Sequence, residues 1–409
     1  MEAQPIVLIL GAGQREYREY MFDKLSRRYR LVLISPDPLT WESKYVIDHV
    51  EIDPSDSERI IAAAEELARE RELAGVLTYY EPCVELAARI GRNLGLPHCL
   101  PVAARRCRDK LATRRALREA GVPSAAYAMA ESDTEARQAA EDIGYPVIVK
   151  PRSLSASFGV TMVVTPDQLD AALATVRSSV PTEPWYHYPG ILVEEYLDGP
   201  EISIDSVVHN GAVTPVVYAR KVLGFAPNFV EVGHIVADAA HIVDDPDTIV
   251  SVLVAAHRAL QIDHGVTHSE IRLTATGPRI IEINGRAGGG LIPQLGELAT
   301  GVDLATASGD IAVGRKPHLT PTLDRVAGVR FFYPPRAGEV VGCGLPAAFE
   351  NSDWVHQITW MFRPGMRVGA EQGRLYVDRL GFGVVTTSSV EECVARMDEL
   401  SLSMVAQMR

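Results

Sequence analysis

Two segments, VTHSEIRL (266–273) and IIEIN (280–284), alternate apolar and chemically active side chains with a period of two, which an extended strand places on separate faces. In the first, His268, Glu270 and Arg272 share one face, and Thr267, Ser269, Ile271 and Leu273 share the other. In the second, Glu282 and Asn284 stand together, opposite Ile281 and Ile283. TATGP between them has turn composition, so the two segments read as a hairpin. If the hairpin is centred near Thr276, Glu270 lies across from Glu282, and His268 across from Asn284. Directly opposed residues of an antiparallel pair have Cβ atoms roughly 4.5–5.5 Å apart, and carboxylates that close repel unless a cation or shared proton lies between them.

Two glutamates and an asparagine are hard oxygen ligands, a set that suits Mg²⁺ retaining water and holding substrate phosphates. Two other readings stay open for these residues alone: an acid and base pair acting on a glycoside, and a half-exposed hairpin whose glutamates face water. The strand runs on into NGRAGGG (284–290), where little side chain keeps an anion away and the N–H groups of Gly288 and Gly289 can turn toward it. Arg286 adds a forked donor for a carboxylate or phosphoryl oxygen.

The first hundred residues alternate apolar runs (6–10, 31–35, 75–79) with helical patterns near 16–28, 57–71 and 83–94, as a parallel sheet with crossover helices does. GAGQREY (11–17) is not a full GxGxxG, because position 16 is Glu16, and no Walker A pattern occurs; a tight strand-to-helix turn is favoured over a dinucleotide site. RRCRDKLATRRALREAGVP (105–123) is basic and helical, with its stop at Gly121 and Pro123. Strands follow at 145–151, through 191–220, at 266–273 and at 279–284, with a helix at 247–260; beyond 320 the chain is strand-rich and closes on a helix near 389–407. The expected fold class is α/β, turning to α+β in the C-terminal half.

With 409 residues, 47% of them apolar, the chain can bury a large core in about two to four domains. A net charge of -13, without a basic run of five or more, argues against nucleic acid or an anionic membrane as partner. Any anionic substrate must therefore be held by a few local cations. The five cysteines are odd in number and lack CxxC spacing, which fits reduced thiols of the cytoplasm. The apolar run 6–10 is too short for a signal peptide, and no stretch reaches the roughly 18 apolar residues of a membrane span.

Lys150 ends the apolar strand PVIVK and is followed by a small, hydroxylic stretch, RSLSASFGV (152–160), which reads as a hairpin tip able to cover phosphates. ILVEEYLDGPEISID (191–205) bends between two strands; such a hinge offers backbone groups to an adenine edge, and Glu201 a carboxylate to ribose hydroxyls. Read singly, these are also a solvated strand end and an acidic surface turn.

Taken in order, Lys110 in RDKLATRRALREAGVP, Lys150 in VIVKP, the loop 153–160, VEEYLDGPE, HSEIRL and EINGR resemble the ATP-grasp superfamily. THSEIRL, the arginine four after Glu282 and the tail RLGFGVVTTSSVEECVARM are similar to its L-amino-acid ligase branch. The resemblance implies an ATP-grasp fold: a doubly wound N-terminal domain (1–100), a central part with the lysine strand and phosphate lid (101–190), a part with the adenine hinge and metal strands (191–318), and a strand-rich C-terminal subdomain (319–409). It implies ATP and one or two Mg²⁺ ions, for which Mn²⁺ can substitute. Lys110 and Lys150 would hold phosphates, under a lid containing Ser155, Ser157 and Gly159. Glu194, Glu195 and Leu197 would lie along the adenine hinge, largely through backbone, and Glu201 would take the ribose. Glu270, Glu282 and Asn284 would bind metal, with Arg286 and His268 at the reacting groups. Glu231 and His234 in FVEVGH (229–234), with Gly288 and Gly289, are the implied substrate contacts, and the aromatic run WYHYPG (185–190) is a candidate pocket wall. The sequence departs from the common pattern in a lid with few glycines and in His268, where many relatives place Arg or Lys.

The implied activity activates a carboxylate as an acyl phosphate and passes it to an amine, with the amino group of an amino acid as the expected acceptor, giving a dipeptide-like amide, ADP and phosphate. Its partners are small-molecule acids and amines, and a homodimer is the expected assembly. A bicarbonate-activating enzyme that forms carboxyphosphate and a non-catalytic ATP-binding regulator use the same nucleotide residues; the intact set Glu270, Glu282, Asn284 and Arg286 argues against the regulator.

Overall fold

The computed structural model describes residues 4–180, 187–369 and 378–409. Strands β1 (Ile6–Leu10), β2 (Arg30–Ser35), β3 (Val46–Glu51) and β4 (Leu73–Thr78) form a parallel sheet in the order β3-β2-β1-β4. Alternate residues of β1 enter two different cores: Val7 and Ile9 pack into one, and Ile6, Leu8 and Leu10 into the other. A strand covered on both faces must be apolar throughout, which is why IVLIL was visible in the sequence. Strand β3, VIDHVE, escaped the sequence reading because it is a half-exposed edge strand carrying Asp48 and His49.

The basic segment expected as one helix is two, Pro101–Arg108 and Lys110–Glu119, divided at Asp109. Asp109 is extended, and its carboxylate accepts the Leu111 N–H (3.1 Å) and two bonds from Arg152. This N-cap starts a new helix and sets Lys110 on its first turn.

A second, antiparallel sheet comprises β5 (Tyr127–Ala130), β6 (Val147–Pro151), β7 (Thr161–Val163) and β8 (Ile191–Glu195) in the order β5-β8-β6-β7. The largest sheet begins with β9 (Glu201–His209), β10 (Ala212–Gly224), β11 (Val230–Ala237), β12 (Gly265–Thr274) and β13 (Gly277–Asn284). It is extended by β14 (Val326–Phe332), β16 (Val355–Trp360) and β18 (Gly381–Thr387), giving the antiparallel order β13-β12-β9-β10-β11-β14-β18-β16. The strands between, β15 (Gly338–Gly344) and β17 (Met366–Val368), join β19 (Val405–Met408) in a three-stranded sheet. The last helix therefore ends at Ser403, short of the expected 407, because residues 405–408 pair with β15. The mixed α/β class with a parallel N-terminal sheet is as expected. Helices Ile292–Thr300 and Leu304–Ala312 share a core with β1 and β2, which presses the parallel sheet against the large one. Among the described residues no helix is long and apolar enough to cross a membrane.

Candidate active site

A cavity of about 420 Å³ lies where the three larger sheets meet. Its chemical wall is the hairpin β12–β13, in which Glu270 pairs with Glu282 and His268 with Asn284. The register then slips by one residue, Ile271 pairing with Ile280, so Ile281 is the extra residue of a bulge. This corrects the strict alternation expected for IIEIN. Ile280 and Ile283 are buried in the core, while Ile281 turns to the cavity beside Ile148 and Leu197. The bulge is held from behind by Arg114, 1% exposed, which donates to the Ile281 carbonyl at 2.7 Å.

One buried cation neutralises much of the floor. Lys221 on β10 lies 2.7 Å from Glu270, 2.9 Å from Glu231 and 3.0 Å from Glu201. Burial opposes its charge, but the three carboxylates outweigh burial and hold its pKa well above the ordinary lysine value. The same cation, with His268, keeps Glu270 well below the usual carboxylate range despite burial. Sequence reasoning missed Lys221, since a lysine in a long strand carries no signal until three other strands bring carboxylates to it.

Lys110 reaches Glu282 at 3.1 Å and the Leu154 carbonyl at 2.6 Å. Lys150 lies 2.6 Å, and Arg114 2.7 Å, from Glu194, whose carboxylate is thus committed to cations. Asn284 is 4% exposed, and its Oδ1 has no hydrogen-bond partner among the described residues, which leaves an amide oxygen beside the opposed glutamates for a cation. Among the described residues no three His, Cys, Asp or Glu converge on a metal-binding point. The donor set is two carboxylates and an amide, incomplete without oxygens from water or phosphate.

Arg286 lines the cavity with its Nε ion-paired to Glu81, which also accepts from Arg108 at 3.0 Å. Glu81 follows β4 in the parallel sheet and had no motif to announce it. Burial raises its pKa, but Arg286 and Arg108 more than offset this and bring it down to about 2 from 4.5. A depressed carboxylate stabilises the fold at pH values above its unfolded pKa, and that contribution, on the order of 3 kcal/mol, is lost as pH falls from about 4.5 toward 2. Glu81→Gln is therefore expected to be less stable than wild type at pH 7, with the gap closing in acid. Urea unfolding at pH 7 and pH 3 checks this; a gap of constant size would refute it.

The other candidates divide. Ser155 and Ser157 line the cavity, and Ser157 and Ala156 both have φ of 56°. Gly159 faces away: with φ of 72°, a Cβ there would meet Pro151 at 2.9 Å and Ser179 at 3.0 Å. Glu195, Leu197, Glu201 and Glu231 line the cavity; Glu195 pairs with Arg279, and Glu201 with Arg272 and Lys221. His234 is fully buried beneath Gly290, where a Cβ would come within 2.5 Å of its Nε2, so it is a second-layer residue and not a lining one. Gly289 lines the cavity, whereas the Gly288 N–H is taken by Asp205 at 2.9 Å and is not offered to an anion. Of the aromatic run, residues 185 and 186 lie outside the described residues; Tyr188 donates to Glu85 at 2.8 Å and stands away from the cavity lining.

Two family descriptions match the chain: ATP-grasp domain over residues 143–294 and ATP-grasp N-terminal domain over residues 32–98. The uncharacterized protein y4rH of Sinorhizobium fredii is 30% identical over 376 residues, covering 89% of this chain and 75% of that protein. Carnosine synthase 1 of Homo sapiens is 27% identical over 348 residues, covering 79% of this chain but 41% of that longer protein. The crystal structure of an L-amino acid ligase from Bacillus licheniformis superposes with a TM-score of 0.82 over 100% of both chains at 20% identity, a likeness of fold.

Proposed function

Because this chain is a member of the ATP-grasp family, we propose that it is an ATP- and Mg²⁺-dependent ligase that activates a carboxylate as an acyl phosphate and joins it to an amine. The observation that carries this reading is the meeting of opposed Glu270 and Glu282, the unsatisfied Asn284 oxygen, two lysines and Arg286 in one cavity.

Adenine would lie between Ile148, Leu197 and Ile281, along the hinge backbone of Glu194 to Leu197, with the ribose toward Glu201. Lys110 and Lys150 would exchange their present partners for phosphate oxygens beneath the 153–160 loop. Glu270, Glu282 and Asn284 would hold Mg²⁺, which would supply positive charge to the phosphoryl oxygens in transfer. The carboxylate substrate attacks the γ-phosphorus and ADP leaves, giving the acyl phosphate. The amine then attacks the acyl carbon; Arg286 and the N–H of Gly289 stabilise the tetrahedral oxyanion, and phosphate departs. Helix Ile292–Thr300 has no side-chain cap at its N-terminus, which adjoins this loop and favours negative charge there. Loop closure would exclude water from the intermediate.

An amino acid as the amine is supported by the named relatives and by the carboxylate Glu231 facing the same cavity as Arg286, an arrangement suited to a zwitterion. A homodimer in the cytoplasm is the setting adopted with this reading. The test is phosphate release with Mg-ATP over a matrix of amino acids, singly and in pairs, with mass spectrometry of the products and light scattering for the assembly. An amide of two substrates less water is the expected product. Stimulation by bicarbonate alone would replace this reading with carboxyphosphate chemistry, ATP binding without any stimulated turnover would leave a regulator, and a monomeric mass would remove the dimer.

A further inference from the structure

Asp205 lies on β9, in the middle of the large sheet, with its residue fully buried. It does not line the cavity, yet both its carboxylate oxygens are committed to elements that do. Oδ1 is 2.6 Å from His268 Nδ1, on the neighbouring strand β12, where the two residues are directly paired. Oδ2 accepts the Gly288 N–H at 2.9 Å, from the loop that follows β13. A buried carboxylate is expensive unless fully bonded, so this one holds its two partners firmly. With Nδ1–H spent on Asp205, the ring presents Nε2 toward Glu270, 3.5 Å away. The loop closes tightly on this pair: a Cβ at Gly288 would stand 2.9 Å from His268 Nδ1 and 3.0 Å from both Asp205 oxygens. Glycine at 288 is thus required by close approach.

We propose that Asp205 is a positioning residue that ties His268 and the Gly288–Gly290 loop into one unit, so that the phosphate side and the acyl side of the cavity keep a fixed spacing. It rests on the ligase reading only for its kinetic consequence. Its structural content, the ring orientation and the seat of the loop, is independent of which substrates are used.

The experiment is Asp205→Asn. The substitution keeps the shape, but the amide cannot supply two acceptor oxygens. It must either turn an N–H toward His268 Nδ1, which forces the other tautomer, or release Gly288. Long-range ¹⁵N–¹H spectra of the imidazoles, with His268 assigned through His268→Gln, are expected to show Nδ1 protonated in wild type and the pattern changed in Asp205→Asn. In the ligation assay kcat is expected to fall roughly 10–100-fold, with KM for ATP little altered, as for other residues that orient a functional side chain. The ratio of ADP to amide should rise, because a misplaced loop exposes the acyl phosphate to water. The Asp205→Asn change should cost much less in a His268→Gln background if it acts through that ring.

An unchanged imidazole spectrum in Asp205→Asn overturns the proposal whatever the activity. Equal losses of kcat and ATP affinity with an unchanged ADP-to-amide ratio would also overturn it, as a purely structural effect. If Asp205→Asn does not fold, Gly288→Ala, which crowds the same pair, must alter the same His268 signals, and no alteration there counts against the idea. Absence of amino-acid-dependent turnover in the wild-type protein would instead remove the ligase reading, while the spectra still decide the role of Asp205.

Discussion

Glu282→Gln is expected to lower amide formation by about a thousandfold, the scale set by several kcal/mol of charge stabilisation at the transferring phosphoryl group. The substitution is isosteric and leaves Glu270, Asn284 and the hairpin register in place. It removes one of two opposed carboxylates and the 3.1 Å partner of Lys110. The residual activity should need far more Mg²⁺ than wild type does, because the site would then offer one carboxylate and one amide. A Mg²⁺ titration of ADP release checks this. Wild-type turnover at wild-type Mg²⁺ would show that Glu282 is not a metal ligand.

Arg286→Ala is expected to reduce kcat roughly 100–1000-fold, as removal of an oxyanion donor does, while ATP binds as before. The two effects separate because Arg286 lies with the glycine loop that follows β13, and not on the segment 194–197 to which adenine is proposed to bind. Arg286→Lys should recover little, since an ammonium cannot reproduce the fork. There is a structural cost as well: Glu81, 5% exposed, would keep Arg108 but lose its second cation, a change worth about 1–3 kcal/mol in stability. Nucleotide binding, steady-state kinetics and thermal unfolding of one preparation separate these terms. Loss of ATP affinity in proportion to kcat would move Arg286 from the acyl step to the nucleotide site.

Both substitutions fall in the part of the site that was legible in the sequence. The opposition of Glu270 to Glu282 followed from strand period and turn position, which are local properties. The parallel N-terminal strands were legible because burial on both faces demands continuous apolar runs. Among the elements that escaped are three strands without a long apolar run of their own: the edge strand Val46–Glu51, the short Thr161–Val163, and the closing strand Val405–Met408, absorbed into a helical pattern. The bulge at Ile281 also escaped, since an extra residue in one strand is invisible until its partner is known.

The sequence by itself determined the fold class, the order of the functional segments and the kinds of atoms they carry, because these follow from periodicity and from residue types read along the chain. Only the tertiary structure decided which charges meet. Lys221 is bound by carboxylates from three strands, Glu81 reaches Arg286 from another sheet, and Asp205 joins a strand to a loop more than eighty residues away. These pairings are set by packing between distant segments, and the energy of a charge depends on the neighbours and the burial that packing brings to it.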